Sequence, residues 1–378
     1  MTTVAGYLRQ SADQTIKSIS RMLPFHGFVA IYTVIVLAFN WSLDPLKTTA
    51  HPQYFSNFGR LYLVVLPFIT VVWLTIVVLV RTNDWTTRRS TLATRLAPDV
   101  VGRFLSAMIT LAALIVFMGS FTTFKTLMPD LMGGFPYDRT HAEMDALLHL
   151  GRDPGLVLIR IMDWPILRAA IEWNYSILWS MAGFLPIYFI ATSVRADKLR
   201  LRYFLTWALT WVVIGNVLAC LFLSAGPAFY GEVTGDRDRF AALLAAISDT
   251  TGDSTVAAFQ AYLWNNYLAG TASLGTGISA FPSMHVGLAM MQALFLREYS
   301  RLAGHAGFVY VAIIVISSVC LGWHYAIDGY VSIVVALAVY AGIKRLLTPR
   351  PRTASLTPGP IAAQRDDARR TAHAASSP

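Results

Sequence analysis

The chain has 378 residues, of which 55% are hydrophobic and only 13% are charged. Soluble globular proteins carry about 25% charged residues, so this composition excludes an ordinary water-soluble protein and indicates an integral membrane protein. The formal net charge of +9 is sorted by loop, so we attribute it to membrane orientation and expect no nucleic-acid partner.

The apolar stretches predict an all-α, polytopic membrane helical bundle, because a hydrocarbon core about 30 Å thick requires about 20 apolar residues per helix. The N-terminal sequence lacks the apolar stretch and cleavage site of a secretory signal, so we expect the first span to be retained. We predict about eight transmembrane helices, of which the sixth is the shortest. They lie at about 24–43, 61–80, 104–124, 168–193, 203–223, 283–297, 306–322 and 325–343.

Basic residues crowd the loops after the second, fourth and sixth spans and the C-terminal tail, whereas the other loops are neutral or acidic. The positive-inside rule therefore places both termini in the cytoplasm. We expect a cytoplasmic N-terminal segment at 1–23 and a membrane domain at 24–347, with a catalytic core at about 168–347. The remainder, 348–378, is rich in Pro, Ala, Ser and charge, which predicts a disordered cytoplasmic tail.

Two long outer loops carry short amphipathic segments. The loop at 124–165 contains "HAEMDALLHLG", in which Met144, Leu147, Leu148 and Leu150 recur at helical spacing. This pattern predicts a helix lying on the membrane surface. The loop at 224–281 contains "FAALLAAI" and "FQAYLWNNYL". We expect these segments to cover the part of the protein that lies below the loop.

Three motifs are expected at the outer face: "SAGPAFY" at 224–230, "SAFPSMH" at 279–285 and "GWHYAID" at 322–328. In the second, Pro282 suits a first helical position, so free N–H groups at the helix start would favour an anion. His285 falls in the first turn, and Ser283 can donate a further hydrogen bond. These features fit a phosphate group.

In the third motif, His324 and Asp328 are four residues apart and share one helical face. The carboxylate can therefore bond one ring nitrogen and leave the other free as a base or nucleophile. Two alternatives stay open. The polar residues could simply satisfy one another at helix ends, or the two histidines and the aspartate could bind zinc.

"FPSMH" followed by "GWHYAID" resembles the type 2 phosphatidic acid phosphatase superfamily, and more closely its inositol phosphorylceramide synthase and sphingomyelin synthase-like branch. The resemblance covers about 121–342 and implies a six-helix core that acts on membrane lipids without a cofactor or metal. It implies that His324 is a nucleophile that forms a phosphohistidine, that Asp328 orients it, and that His285 protonates the leaving group. His285 would then activate the acceptor.

The sequence departs from the phosphatases of that superfamily at three places. The phosphatases have a motif in which a lysine is followed, after six residues, by Arg-Pro, and no such motif precedes Phe281 here. Ser318 stands in place of an arginine, and Met284 stands in place of a glycine. A phosphodiester carries less charge than a phosphate monoester, so fewer cations suffice. These departures favour transferases that use phosphodiesters.

The residues left to bind substrate are few. Among the outer cations Lys125, Arg237 and Arg239, we favour Lys125, because it closes the third predicted span. A lysine that reaches the lipid headgroups is an equally valid interpretation. Gly226 of "SAGPAFY" is a further candidate for substrate binding, although Gly-Pro also terminates helices.

These observations lead to one leading hypothesis and two alternatives. The first is a membrane phosphotransferase that moves a phosphoryl-headgroup between a phospholipid and an alcohol acceptor. The second is a lipid phosphate or pyrophosphate phosphatase, and the third is a lipid carrier without catalytic activity. We expect a bacterial inner membrane with the site on the periplasmic face. The sequence identifies no protein partner.

Overall fold

The computed structural model describes residues 3–45, 47–248 and 255–348. Within these residues the chain is helical and contains no strand, which confirms the prediction of an all-α bundle. The chain divides into two units, Met1–Ile343 and Lys344–Pro378. In the second unit, Lys344 to Leu347 are helical. The predicted disordered tail lies outside the described residues from 349 onwards.

Fourteen helices follow one another in the described residues, numbered α1 to α14 in chain order. They are Val4–Leu43, His51–Arg81, Trp85–Arg95, Pro98–Met132, Asp138–Leu148, Pro154–Val157, Pro165–Thr192, Val194–Leu221, Tyr230–Thr234, Ala241–Ser248, Thr255–Leu268, Met284–Tyr299, Arg301–Cys320 and Ala326–Leu347. Seven of these are long and apolar enough to cross a membrane, namely α1, α2, α4, α7, α8, α13 and α14. The protein is therefore an integral membrane protein.

The sixth predicted span, at 283–297, corresponds to α12, which has only 16 residues and rises about 24 Å. It nevertheless links the same two ends of the bundle as its neighbours. Near one end, Trp179 of α7 donates to the carbonyl of His285 at 2.9 Å. At the other, Arg202 of α8 donates to Glu298 at 2.8 Å. Most of α12 is buried by other helices, so a short helix suffices.

Small residues let the helices approach closely, as is usual for helices that pack in membranes. A Cβ atom on Gly102 of α4 would lie 2.6 Å from the carbonyl oxygen of Ser11 in α1. A Cβ atom on Gly307 of α13 would lie 2.8 Å from Cβ of Ala293 in α12. These contacts hold α1 against α4 and α12 against α13, and the second pair carries the second and third motifs at its ends.

The helix α5 coincides with the segment predicted to lie on the membrane surface. Its apolar side chains Leu147 and Leu148 are turned outwards, 79% and 63% exposed. Its polar side chains Asp138, His141 and Asp145 are buried against the rest of the protein. The polar face of this amphipathic helix is therefore the face that packs on the fold.

Candidate active site

The first, second and third motifs (224–230, 279–285 and 322–328) meet at one end of the bundle. Each pair is joined by a backbone hydrogen bond. These bonds run from Ala280 N to the Ser224 carbonyl (2.8 Å), from Ala228 N to the Gly322 carbonyl (2.8 Å) and from Ser283 N to the Asp328 carbonyl (3.1 Å). The structure thus brings together three segments that are far apart in the sequence.

The hydrogen bonds of His324 fix its tautomer. Its Nδ1 atom lies 2.7 Å from the carbonyl oxygen of Ala280 and 3.2 Å from Oδ2 of Asp328. A carbonyl oxygen only accepts hydrogen bonds, so Nδ1 carries the proton and the neutral ring keeps its lone pair on Nε2. Burial lowers the pKa of His324, in the turn between α13 and α14, to about 3. The ring is therefore neutral at physiological pH.

Asp328 is fully buried in the first turn of α14. Its Oδ2 atom accepts from Tyr325 N at 3.0 Å as well as facing His324. Its Oδ1 atom is buried and has no hydrogen-bond partner among the described residues. The carboxylate is thus held by the turn that carries the histidine, and it faces the proton-bearing nitrogen.

His285 lies beside His324, with 6.3 Å between the ring centroids. Its imidazole stacks on Tyr175 at 4.2 Å and contacts the ring of Trp179 at 3.9 Å. Both aromatic residues come from α7, where Asn174–Leu178 form a π-helical turn, a feature often found at functional sites. Neither Tyr175 nor Trp179 was predicted from the sequence as a site residue. Their i, i+4 spacing was the only pattern that could have suggested a shared role.

Ser283 is fully buried and caps α12, because its side chain accepts from Val286 N at 3.4 Å. The helix begins at Met284. The prediction that Pro282 occupies the first helical position was therefore wrong. Serine is a preferred N-cap residue, and here it takes that place one residue after the proline. His285 is in the first turn, as the spacing predicted.

Gly226 lies where the three motifs cross. Its φ angle is +92°, and a Cβ atom there would lie 2.7 Å from the carbonyl oxygen of Trp323 and 2.8 Å from Cβ of Ala280. Only glycine accommodates both the left-handed backbone and the close approach. Its visible role is to let the first motif contact the other two.

Lys125 does not close its helix, because α4 continues to Met132. Its side chain lies against Gly277, where a Cβ atom would be 2.8 Å from Cγ of the lysine. Its ammonium acts electrostatically on both His285 and His324. Arg239, by contrast, forms an ion pair with Asp153 at 2.9 Å. Lys125 is thus the candidate cation that the structure brings to the histidines.

The buried face of α5 was also not predicted from the sequence as part of the site. Asp138 accepts hydrogen bonds from the first motif, and Asp145 accepts them from the third. The donors are Ala225 N (2.7 Å), Gly226 N (2.8 Å) and Tyr325 Oη (2.9 Å) for Asp138, and Ala326 N (3.0 Å) and Ile327 N (3.1 Å) for Asp145. Burial raises the pKa of Asp138 to about 6 and also raises that of Asp145. The signal available in the sequence was the seven-residue spacing of Asp138 and Asp145, which places both acids on one face of a helix.

In the described residues, no group of three or more His, Cys, Asp or Glu side chains is arranged to hold a metal ion. The pair of histidines and the aspartate instead form a chain of contacts from His285 through His324 to Asp328. Such an arrangement can supply a neutral nucleophile, a carboxylate that orients it and a second imidazole for proton transfer.

Comparison with curated proteins and with solved structures found no match. A family model described as "PAP2 superfamily" matches residues 140–342. The matched region is more than half of the chain and contains α5 from its third residue, all three motifs and both histidines. The chain therefore belongs to the PAP2 superfamily, whose members are phosphatases and phosphotransferases.

Proposed function

We propose that this protein is a membrane phosphotransferase that transfers a phosphoryl-headgroup between a phospholipid and an alcohol acceptor through a phosphohistidine on His324. The observation that carries the proposal is the fixed tautomer of His324. Its Nδ1–H is bound by Ala280 and Asp328, so Nε2 is left as the nucleophilic atom, next to His285.

In the first half-reaction, Nε2 of His324 attacks the phosphorus of the donor phosphodiester. The nitrogen–phosphorus bond forms and the bond from phosphorus to the glycerol oxygen breaks. His285, which takes up a proton when the anionic donor binds, gives that proton to the leaving oxygen. Asp328 stabilises the positive charge on the phosphorylated imidazole. In the second half-reaction, His285 removes a proton from the acceptor hydroxyl, whose oxygen attacks phosphorus and releases His324.

The charge of the site supports a phosphodiester over a phosphate monoester. The charge of Lys125 acts on both histidines, and we assign this residue to the substrate phosphate together with Ser283 and Gly226. Ser318 stands where the related phosphatases have an arginine, and it is buried with its hydroxyl donating to the Val315 carbonyl at 2.8 Å. A singly charged substrate needs less positive charge than a doubly charged one.

We also infer that the site faces the periplasm of a bacterial inner membrane. Arg202 and Glu298 meet at the end of the bundle opposite the histidines, and the basic residues Arg297 and Arg301 flank that end in the sequence. The positive-inside rule assigns such an end to the cytoplasm. Labelling of single cysteines with an impermeant reagent in intact cells and in lysed cells would test this orientation.

The function is tested with purified protein in lipid nanodiscs and a phospholipid labelled in its headgroup phosphate. We expect label to appear in the acceptor alcohol and, transiently, in an acid-labile, base-stable protein adduct. His324→Ala should abolish both signals, whereas His305→Ala, which changes an exposed histidine on α13, should preserve both.

The alternatives give different results in the same assay. Unchanged transfer by His324→Ala would refute the mechanism. Release of inorganic phosphate from a labelled phosphate monoester, without transfer to any alcohol, would identify a phosphatase that uses the same residues with water. Absence of both turnover and the labelled adduct in the wild-type protein would favour a lipid carrier.

A further inference from the structure

The buried face of α5 contacts all three motifs: Asp138 accepts from the first, the ring of His141 lies 4.4 Å from that of Phe281 in the second, and Asp145 accepts from the third. We propose that Asp145 and Asp138 are positioning residues that hold the backbone around His324 and Gly226 in register for the reaction. This inference rests on the proposed function, because it assigns a role to residues outside the reacting groups of that site.

Asp145 holds the start of α14. Its two carboxylate oxygens accept from Ala326 N and Ile327 N at 3.0 and 3.1 Å, and these two residues lie between His324 and Asp328. The first N–H groups of a helix have no acceptor within the helix, and a carboxylate at a helix start is favourable. The cap of α14 is therefore supplied by a helix about 180 positions earlier in the chain.

Asp138 ties the first motif to the third. Its oxygens accept from Ala225 N at 2.7 Å and Gly226 N at 2.8 Å, and Oδ1 also accepts from the hydroxyl of Tyr325 at 2.9 Å. Tyr325 directly follows His324. Because Asp138 and Asp145 lie two turns apart on one helix, a single rigid element sets the spacing between the two motifs.

Stability alone is a poor explanation for this arrangement. Burying a carboxylate is costly unless it is fully hydrogen-bonded, and apolar residues of similar size often stabilise a fold at least as well. Both carboxylates here are buried, with Asp138 1% and Asp145 3% exposed, and their partners are the backbone groups that flank reacting residues. The placement is what a positioning role requires.

The test compares Asp145→Asn with Glu143→Gln, a matched loss of charge at an exposed position on the same helix. Asparagine keeps one carbonyl oxygen, so only one of the two N–H groups still finds an acceptor. We expect kcat per folded protein to fall about 10- to 100-fold with KM within about 3-fold, as for loss of a charge-assisted hydrogen bond that positions a catalytic group. Glu143→Gln should match the wild type.

Hydrogen exchange gives a readout that does not depend on turnover. Amides in the peptide that spans the third motif should exchange about ten times faster in Asp145→Asn than in Glu143→Gln, since one of the two capped N–H groups loses its acceptor. Wild-type exchange or wild-type kcat in Asp145→Asn would overturn the inference. If the wild-type protein itself shows no turnover, the proposed function fails, while the exchange comparison still decides whether Asp145 holds this turn.

A milder variant keeps the inference testable if Asp145→Asn fails to fold. Tyr325→Phe removes only the hydroxyl that bonds Asp138. We expect kcat to fall about 3- to 10-fold, the effect of one hydrogen bond to a charged group. Unchanged kcat in Tyr325→Phe would contradict the role assigned to Asp138.

Discussion

The imidazole of His285 and the ring of Tyr175 stack with their centroids 4.2 Å apart and their planes only 16° apart. Trp179 contacts the same imidazole and bonds the carbonyl of His285. The histidine that we assign to proton transfer is therefore held by aromatic rings from α7. The stacking on Tyr175 restricts the orientation of the His285 ring and uses neither ring nitrogen as a hydrogen-bond partner.

The stacking predicts different results for two substitutions of Tyr175. The hydroxyl of Tyr175 is buried and has no hydrogen-bond partner among the described residues. Tyr175→Phe keeps the ring, so kcat should stay within about 3-fold and thermal stability should not fall, because an unsatisfied polar group is removed. Tyr175→Ala removes the ring and should lower kcat by about 10-fold or more, the scale of a misplaced proton-transfer group.

Steady-state kinetics and thermal unfolding of both variants check this prediction. Tyr310→Phe is the matched control, because its hydroxyl is also buried without a partner among the described residues and it lies on α13. A loss of activity in Tyr175→Phe that Tyr310→Phe does not share would show instead that the hydroxyl contacts the substrate.

Gly226 should tolerate no side chain. In Gly226→Ala the added Cβ meets Trp323 O at 2.7 Å in addition to the strain of a positive φ, so we expect a loss of about 2–4 kcal/mol in the free energy of unfolding. Gly235 has a similar φ of +80° but nothing within 4 Å of a Cβ atom. Gly235→Ala should therefore lose only about 1 kcal/mol.

Thermal unfolding of the two variants separates the loss of stability caused by the close contact of the added Cβ from the loss caused by backbone strain. Equal losses of stability in Gly226→Ala and Gly235→Ala would mean that contact with the other motifs contributes little at Gly226.

The parts of the site that depend on local spacing could be predicted from the sequence. The i, i+4 relation of His324 and Asp328 indicated the contact that the structure places at 3.2 Å, and the loop charges indicated that the three motifs share one face. The apolar spans predicted the helical bundle, and the shortest predicted span, at 283–297, corresponds to α12, most of which is buried by other helices.

The supporting contacts could not be predicted, because they join positions far apart in the sequence. Nothing in the second motif shows that the carbonyl of Ala280 accepts from His324. The pattern of α5 drew attention to its apolar residues, whereas Asp138 and Asp145 on the opposite side make the contacts to the motifs. Local periodicity identifies the faces of a helix but not which partner each face meets.

Stability should respond to pH through Asp138. Burial raises the pKa of its carboxyl from 3.8 to about 6 in the folded protein. Between those values the folded state binds the proton more tightly than the unfolded state, so the contribution of Asp138 to stability falls as pH rises from about 4 to about 6 and is constant above.

The midpoint of thermal unfolding of the wild type, measured relative to Asp138→Asn from pH 4 to pH 8, checks this sign. The asparagine variant lacks the titrating group, so the difference isolates Asp138 from other acids such as Asp145, whose pKa is also raised by burial. A difference that grows as pH rises through this window would contradict the prediction.

Lys125 provides the strongest test of how the site binds phosphate. Its ammonium acts on both histidines, and none of the hydrogen bonds or ion pairs found among the described residues involves it. In Lys125→Gln, kcat/KM for an anionic phosphodiester should fall about 10- to 1000-fold, because a charge that faces the developing transition state is lost.

The control for Lys125→Gln is Lys47→Gln. Lys47 also contacts a residue of α4, but its ammonium is already paired with Asp130, so its loss should leave kcat/KM within about 3-fold, as for other exposed ion pairs. The two variants differ in whether the lost charge is paired with a protein carboxylate. Only Lys125→Gln removes an unpaired charge and so leaves the phosphate without a cation. Equal activity in the two variants would remove Lys125 from the site and require another source of positive charge next to His324.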